Sequence, residues 1–223
     1  MVDTFIVQMD HDLSFHTFST LLELVSNEKR NRINAYHDYN DAQNSLIGDI
    51  LVRAVVCKKA NLSNRELVFV KNYYGKPYLT TDPNIMFNIS HTKGYIAVTV
   101  GDQQLGIDIE RVVPIDLGIA ERFFMQDEVK FIQTNENSQA YQAFYEIWTK
   151  KESFIKWEGV GLSRPLSSFS VLDYNDSLSY CCIMKNRNVI CHICMQDKKV
   201  HKHIHLTTSE FLHYIDGSGL IES

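Results

Sequence analysis

The chain has 223 residues, 44% of them apolar, and carries 22 Lys+Arg against 27 Asp+Glu for a formal charge of −5. Its length excludes a disulfide-stapled miniprotein, and an even spread of charge with no basic block leaves no broad footprint for nucleic acid. The longest unbroken apolar run, Tyr180 to Met184, is far short of the roughly 18 residues a membrane span needs, so no membrane contact is expected. Met1-Val2-Asp3-Thr4 opens without a cationic region followed by an apolar one, and the cysteine count is odd. Reduced thiols, a cytoplasmic address and a monomer are the expectations.

Phe18, Leu21, Leu22 and Val25 predict a short helix, after which Ser26 opens a basic turn containing Lys29 and Arg32. Leu46, Ile47, Ile50, Leu51, Ala54 and Val55 recur at i, i+3 and i+4 and predict a core helix over Asp41 to Lys59, with Asp41 as N-cap. Short strands follow at Leu67 to Lys71, Met86 to Ile89, Tyr95 to Val100 and Gln104 to Ile109, divided by Gly and Pro, and predict a small, mainly antiparallel sheet. Helices are then expected at Ile119 to Phe124, Asp127 to Gln133 and Ser138 to Glu158, the last ended by Gly159 and Gly161. Strands at Ser168 to Leu172, Leu178 to Met184, Val189 to Met195 and Val200 to Leu206 and a helix near Ser209 to Tyr214 complete the chain. Helices then strands occur twice, which predicts an α+β fold of two related lobes, residues 1–105 and 106–223, packed as one unit.

Within Gly106-Ile107-Asp108-Ile109-Glu110, strand periodicity places Asp108 and Glu110 on one face, about 7 Å apart by Cα. Such a pair is either the wet face of a half-buried strand or a hard-cation site, since Mg²⁺ takes one or two carboxylates and completes its shell with water and phosphate. The long helix carries Lys151 near the middle of its apolar stripe, costly without a partner or a task, and Glu152 with Lys156 at i,i+4. Phe87-Asn88-Ile89-Ser90-His91-Thr92 ends a strand in hydroxyls and an imidazole, and Lys76 sits on the Gly75-Lys76-Pro77 turn. Each of these is a solvated charge or a capped turn when taken alone; together they are what a ligand with several phosphates requires.

The order Gly-Lys-Pro, Phe-Asn-Ile-Ser-His, Gly-Ile-Asp-Ile-Glu and Trp-Thr-Lys-Lys-Glu-Ser-Phe-Ile-Lys resembles the 4′-phosphopantetheinyl transferases of the double-length, peptide-synthetase-activating type. The resemblance extends to Leu46–Arg53 and Glu121–Phe124 and fades after about Val171. It implies a pseudo-twofold arrangement of the lobes, with coenzyme A and Mg²⁺ in the cleft between them. It also implies transfer of the phosphopantetheine arm to a serine of an apo peptidyl or acyl carrier protein, with release of adenosine 3′,5′-bisphosphate. By motif position, Asp108, Glu110 and Glu152 would hold the metal, Glu152 would serve as base, Lys156 would face the pyrophosphate, and Lys151 would support the same site. Lys29, Arg32, Ser45, Lys76, Ser90 and His91 would surround the adenosine phosphates. Arg32 and Asn44 depart from the residues expected at those places, which touches the adenosine contacts and not the chemistry, and Thr92 in place of a serine is a conservative change. The apolar segment after the metal strand, with Leu117, Ile119, Phe123 and Phe124, is expected to dock the carrier.

Two other readings compete. A structural zinc module would use Cys191, His192 and Cys194 with His201, His203 and His205, although odd spacing points the two thiols to opposite strand faces. A catalytically silent relative would bind carrier protein or coenzyme A without turnover.

Overall fold

The structure, a computed structural model, describes residues 1–172, 178–196 and 201–220, apart from the side chains of Leu162 and His201. Along the chain it forms β1 (Val2–Gln8), α1 (Phe15–Leu22), α2 (Asn27–Asn34), α3 (Tyr39–Ala60), β2 (Phe69–Lys71), β3 (Pro77–Leu79), β4 (Met86–Thr92) and β5 (Tyr95–Gly101). The second half supplies β6 (Leu105–Arg111), α4 (Gly118–Phe123), α5 (Gln126–Gln133), α6 (Ser138–Glu158), β7 (Ser179–Lys185), β8 (Val189–Met195), β9 (His201–Thr207) and α7 (Thr208–Asp216). Among the described residues these make a sheet ordered β4-β5-β1-β9, a sheet ordered β6-β8-β7, and the small β2–β3 hairpin. The α+β, two-lobed expectation holds.

In the first lobe α3 packs on the sheet through Leu46, Ile47, Ile50 and Leu51, all inaccessible to solvent. Its burial extends around most of its circumference, as expected of a helix apolar on nearly every side. It begins earlier than predicted because the Asp38 carboxylate, not Asp41, caps it by accepting the Asn40 N–H at 2.8 Å. The basic turn after Ser26 is a helix, α2, with Ser26 as its cap. In the second lobe α6 lies across β6 and β8 and has the predicted limits, closed by Gly159 in the left-handed conformation at φ 77°.

Three differences from the sequence reading have clear physical causes. Strand β1 has no predicted counterpart: it lies inside the first sheet with both faces covered, so its apolar residues run together instead of alternating. Strand β9 pairs parallel to β1, from Val2 opposite His201 to Gln8 opposite Thr207, and α7 packs on α3. The chain's last segment therefore crosses the proposed 105/106 division and completes the first lobe, making its sheet mixed. Val200, the predicted first residue of that strand, lies outside the described residues. Finally, Ser168 to Leu172 forms no strand. Its backbone is engaged by side chains instead, Phe169 O accepting from Lys151 and Val171 N donating to Glu128.

The lobes meet where β4, an edge of the first sheet, runs beside β6, an edge of the second. Side chains bridge these edges. Asn88 Oδ1 accepts the Ile107 N–H at 2.8 Å, and two residues on, Ser90 Oγ accepts the Ile109 N–H at 3.4 Å. Alternate residues of β4 thus satisfy β6 backbone groups that a further strand would otherwise take.

Candidate active site

At this seam Asp108 is nearly buried. Its Oδ1 accepts from Ser90 Oγ at 2.9 Å and from Lys156 Nζ at 2.6 Å, and Lys156 also donates to Ser90 Oγ at 2.8 Å. Asp108 Oδ2 is buried without a partner. Glu110 follows on the same face of β6, and Glu152 lies one helical turn before Lys156 on α6. Burial first, then the Asp108 carboxylate, raise the Glu110 pKa to about 7, with Lys156 and the Thr92 hydroxyl opposing and Glu152 adding to the rise. Glu152 is raised for the same first two reasons. Three carboxylates therefore crowd one half-buried place, one of them with an orphaned oxygen, and the Lys156 ammonium among them offsets one of the three charges.

Those properties fit a hard divalent cation, which would take the orphaned oxygen and relieve the repulsion. Among the described residues no group of three or more ligating side chains is assembled as a ready cage. Mg²⁺ needs none, because water and substrate phosphate fill most of its octahedron.

Beside the carboxylates lies a cavity of about 270 Å³, walled by Tyr74, Gly75, Lys76 and Pro77 on one side and by Glu152, Ile155 and Lys156 on the other. Around β4 a second cavity of about 360 Å³ is lined by Lys29 and Arg32 from α2, by Phe87 and Ile89 from β4, and by Gly75 and Pro77. Residues two apart on a strand share a face, so His91 belongs to the face of Phe87 and Ile89. Crowding by protein lowers the His91 pKa, and Lys156, Lys29 and Arg32 add to the effect against the pull of Asp41. Burial also lowers the Lys29 pKa, opposed by Asp49, whose carboxylate is 3.7 Å away. Ser45 is buried on α3, next to Asn44, whose amide donates to Thr92 O at 3.4 Å.

The structure brings together Asp108, Glu110, Glu152, Lys156 and Ser90, and places Lys29 and Arg32 around an adjoining cavity, with the exposed His91 further along the same face of β4. Three expected placements are corrected. Lys151 does not face the cleft: one residue is about 100° of helix, so it cannot share the direction of Glu152. It is fully buried against Glu128 at 2.7 Å and donates to Leu166 O and Phe169 O, with its ammonium 4.3 Å from the Phe169 ring centroid. Lys76 lines the cavity, but its ammonium points to backbone carbonyls. Phe124 is core, stacked on Phe144 at 5.3 Å between centroids, whereas Phe123 is 51% exposed and Leu117 and Ile119 are half-buried.

The zinc set is not assembled either. Cys191 and Cys194 join different apolar clusters, His192 is bonded to Thr149 Oγ1 at 2.8 Å, and His203 and His205 stand on β9 in the other sheet. Burial raises both thiols, Cys194 to about 12, which keeps them protonated and poor ligands.

Sequence reasoning missed Asn88, which shares the alternation of Ser90, and Glu128, for which no local pattern exists. The Lys151–Glu128 pair supplies a direct check on its role. Lys151→Met is expected to cost about 3–5 kcal/mol in urea unfolding, because a buried carboxylate loses its cation. A phosphate-binding lysine would instead leave stability unchanged and raise KM for the donor.

A two-lobed α+β chain with acidic groups and a lysine at the lobe seam, flanked by a cation-lined cavity, has the form of a phosphate-handling transferase. Residues 12–103 match the family described as 4′-phosphopantetheinyl transferase, N-terminal, and residues 104–208 match the 4′-phosphopantetheinyl transferase superfamily. The chain is 40% identical over 170 residues to the 4′-phosphopantetheinyl transferase ffp of Bacillus subtilis, covering 76% of each chain. It is 38% identical over 170 residues to Sfp of Bacillus subtilis strain 168, again 76% of each. With gsp of Aneurinibacillus migulanus the identity is 37% over 169 residues, 76% of this chain and 70% of that one. The chain belongs to the 4′-phosphopantetheinyl transferase superfamily, in its surfactin-activator-like branch. Among the described residues no helix is long and apolar enough to cross a membrane.

Proposed function

We propose that this protein transfers 4′-phosphopantetheine from coenzyme A to the serine hydroxyl of an apo peptidyl or acyl carrier protein and releases adenosine 3′,5′-bisphosphate. The observation that carries this reading is the orphaned Asp108 Oδ2 among Glu110, Glu152 and Lys156, beside a cavity walled by Glu152 and Lys156 that adjoins, across Gly75, Pro77 and Ile89, a second one lined by Lys29 and Arg32. A long donor with a nucleotide at one end and a pyrophosphate in its middle matches that succession.

In the reaction the serine oxygen bonds to the phosphorus bearing pantetheine, and the bond from that phosphorus to the adenosine 5′-phosphate oxygen breaks. Asp108, Glu110 and Glu152 would hold Mg²⁺, which when bound supplies positive charge to the pyrophosphate. Lys156 directs its ammonium into the same place and offsets charge on the leaving phosphate. Glu152, with its raised pKa, accepts the serine proton. Lys29, Arg32, Ser45 and His91 serve the adenosine-phosphate end, while Ser90, bonded to both Asp108 and Lys156, holds those two groups at the seam. Since Lys151 is engaged elsewhere, Lys156 is the lysine of α6 that meets the pyrophosphate. The enzyme acts as a cytoplasmic monomer, its cleft completed by the two lobes of one chain.

Incubation with apo carrier protein, coenzyme A and Mg²⁺, followed by intact mass spectrometry of the carrier, tests the reading. A carrier heavier by one phosphopantetheine, and only when Mg²⁺ is present, is the expected result. An unchanged carrier with each of several peptidyl and acyl carriers overturns it.

Of Leu117, Ile119, Phe123 and Phe124, Phe123 is the exposed one, and we assign it to carrier docking with Leu117 and Ile119 at its border. Phe123→Asp should raise KM for the carrier roughly 10-fold or more, the scale of an interface anchor worth over 1 kcal/mol, and leave coenzyme A affinity unchanged. Equal KM values for parent and variant would dismiss this surface.

A further inference from the structure

We propose that Lys76 and Asn72 form a latch that fastens the β2–β3 turn to the end of α6 and thereby positions Lys156. The inference rests on the transfer reading above and adds a positioning role to it.

An ammonium has three donor hydrogens. Those of Lys76 meet Leu105 O at 3.0 Å, Lys156 O at 2.5 Å and Trp157 O at 3.2 Å, which leaves none for a phosphate. Asn72 acts beside it. Its Nδ2 donates to Gly159 O at 2.8 Å, while its Oδ1 accepts the N–H groups of Tyr74 and Lys76, both at 2.9 Å. One side chain thus shapes the turn and ties it to the helix terminus. The contacts join the first lobe to the second across separations of 80 or more residues.

The last four carbonyls of a helix have no partner within it, carry the negative end of its dipole, and belong to the part that frays. Lys156 lies in that final turn of α6. Its backbone carbonyl is held by Lys76 while its own ammonium reaches the other way, to Asp108 and Ser90. The same turn residues, Tyr74 to Pro77, wall the cavity opposite Glu152 and Lys156, so the latch also fixes its width. Gly159 fits this arrangement: a Cβ there would meet Lys76 Cδ at 3.1 Å. Desolvation lowers the Lys76 pKa to about 8, as expected of a cation held by carbonyls in place of water.

The test compares Lys76→Met and Asn72→Ala with the parent, using coenzyme A and 3′-dephospho coenzyme A as donors, and repeats Lys76→Met in a Lys156→Met background. Misplacement by about 1 Å can cost roughly 10²-fold, so kcat should fall about 10- to 100-fold, by the same factor with both donors. In the Lys156→Met background, Lys76→Met should cost little more, because the group it positions is gone. Amide hydrogen exchange at residues 156–159 should accelerate in both single variants. A loss confined to the donor that carries the 3′-phosphate makes Lys76 a phosphate contact and overturns the latch. Additive losses with Lys156→Met, or unchanged exchange, overturn it as well. Should Lys76→Met fail to fold, Asn72→Ala takes its place in each comparison, and the same results support or overturn the latch. If the parent transfers nothing to any carrier, the transfer reading fails by itself, and the exchange measurement still decides whether the latch exists.

Discussion

Glu152→Gln is expected to fold, bind coenzyme A and lose transfer by roughly 10²–10⁴-fold, the range for removing an acid–base group. The residue is half-buried on α6, its pKa raised by burial and by Asp108, and the amide preserves shape and packing. What disappears is the ability to accept the serine proton and the charge that helps hold a cation. These two losses separate in a Mg²⁺ titration, because only the second is relieved by excess metal. Recovery of parental kcat at high Mg²⁺ would make Glu152 a ligand and assign the proton to another acceptor. Full activity at ordinary Mg²⁺ would make the carboxylate structural and remove the mechanism. Asp108→Asn serves as the contrast, since Asp108 is nearly buried and pinned by Ser90 and Lys156, in no position to collect a proton from an incoming serine.

How much of this site is legible in the sequence depends on how local the determining interactions are. Asp108 and Glu110, and Glu152 and Lys156, are correctly paired by strand and helix periods because those periods are properties of the backbone. The limits of α6 and β8 are legible for the same reason, one ending at a glycine that adopts a positive φ and the other bounded by polar turns. Lys151 shows where local logic stops. Its cost in an apolar stripe is readable, but the carboxylate that answers it is Glu128, on a different helix. Lys76 is a sharper case, since a cation on a Gly-Pro turn suits a phosphate as well as it suits carbonyls, and its acceptors are 29 to 81 residues away. Strand β1 is hidden by its burial on both faces, and β9 joins the first lobe through a pairing that no run of residues announces.

Gly106→Ala should damage both stability and turnover, because at this position β6 and α6, which carry the acidic groups and Lys156, touch backbone to backbone. A Cβ on Gly106 would lie 1.9 Å from Ser153 O, 2.3 Å from Trp157 N and 2.9 Å from the Lys156 carbonyl carbon, all of them main-chain atoms of α6. No side chain can rotate to relieve the contact, so α6 must withdraw from β6. Gly48 makes the contrast: its Cβ would meet the Ile89 Cγ2 methyl at 2.9 Å, a side-chain contact that repacking can ease. Overpacking of a core costs about 1–3 kcal/mol and occasionally more, and the rigidity of two packed backbones puts Gly106→Ala at the upper end. Withdrawal of α6 also carries Lys156 away from Asp108, now 2.6 Å apart, and Glu152 away from the cation site. A displacement of about 1 Å is enough to cost roughly 10²-fold in rate. Thermal unfolding and kcat measured on the same preparations check the two effects together. Gly106→Ala with parental Tm and kcat would mean that α6 and β6 do not meet at this glycine, and the close helix–strand packing that sets Lys156 against Asp108 would have to be abandoned.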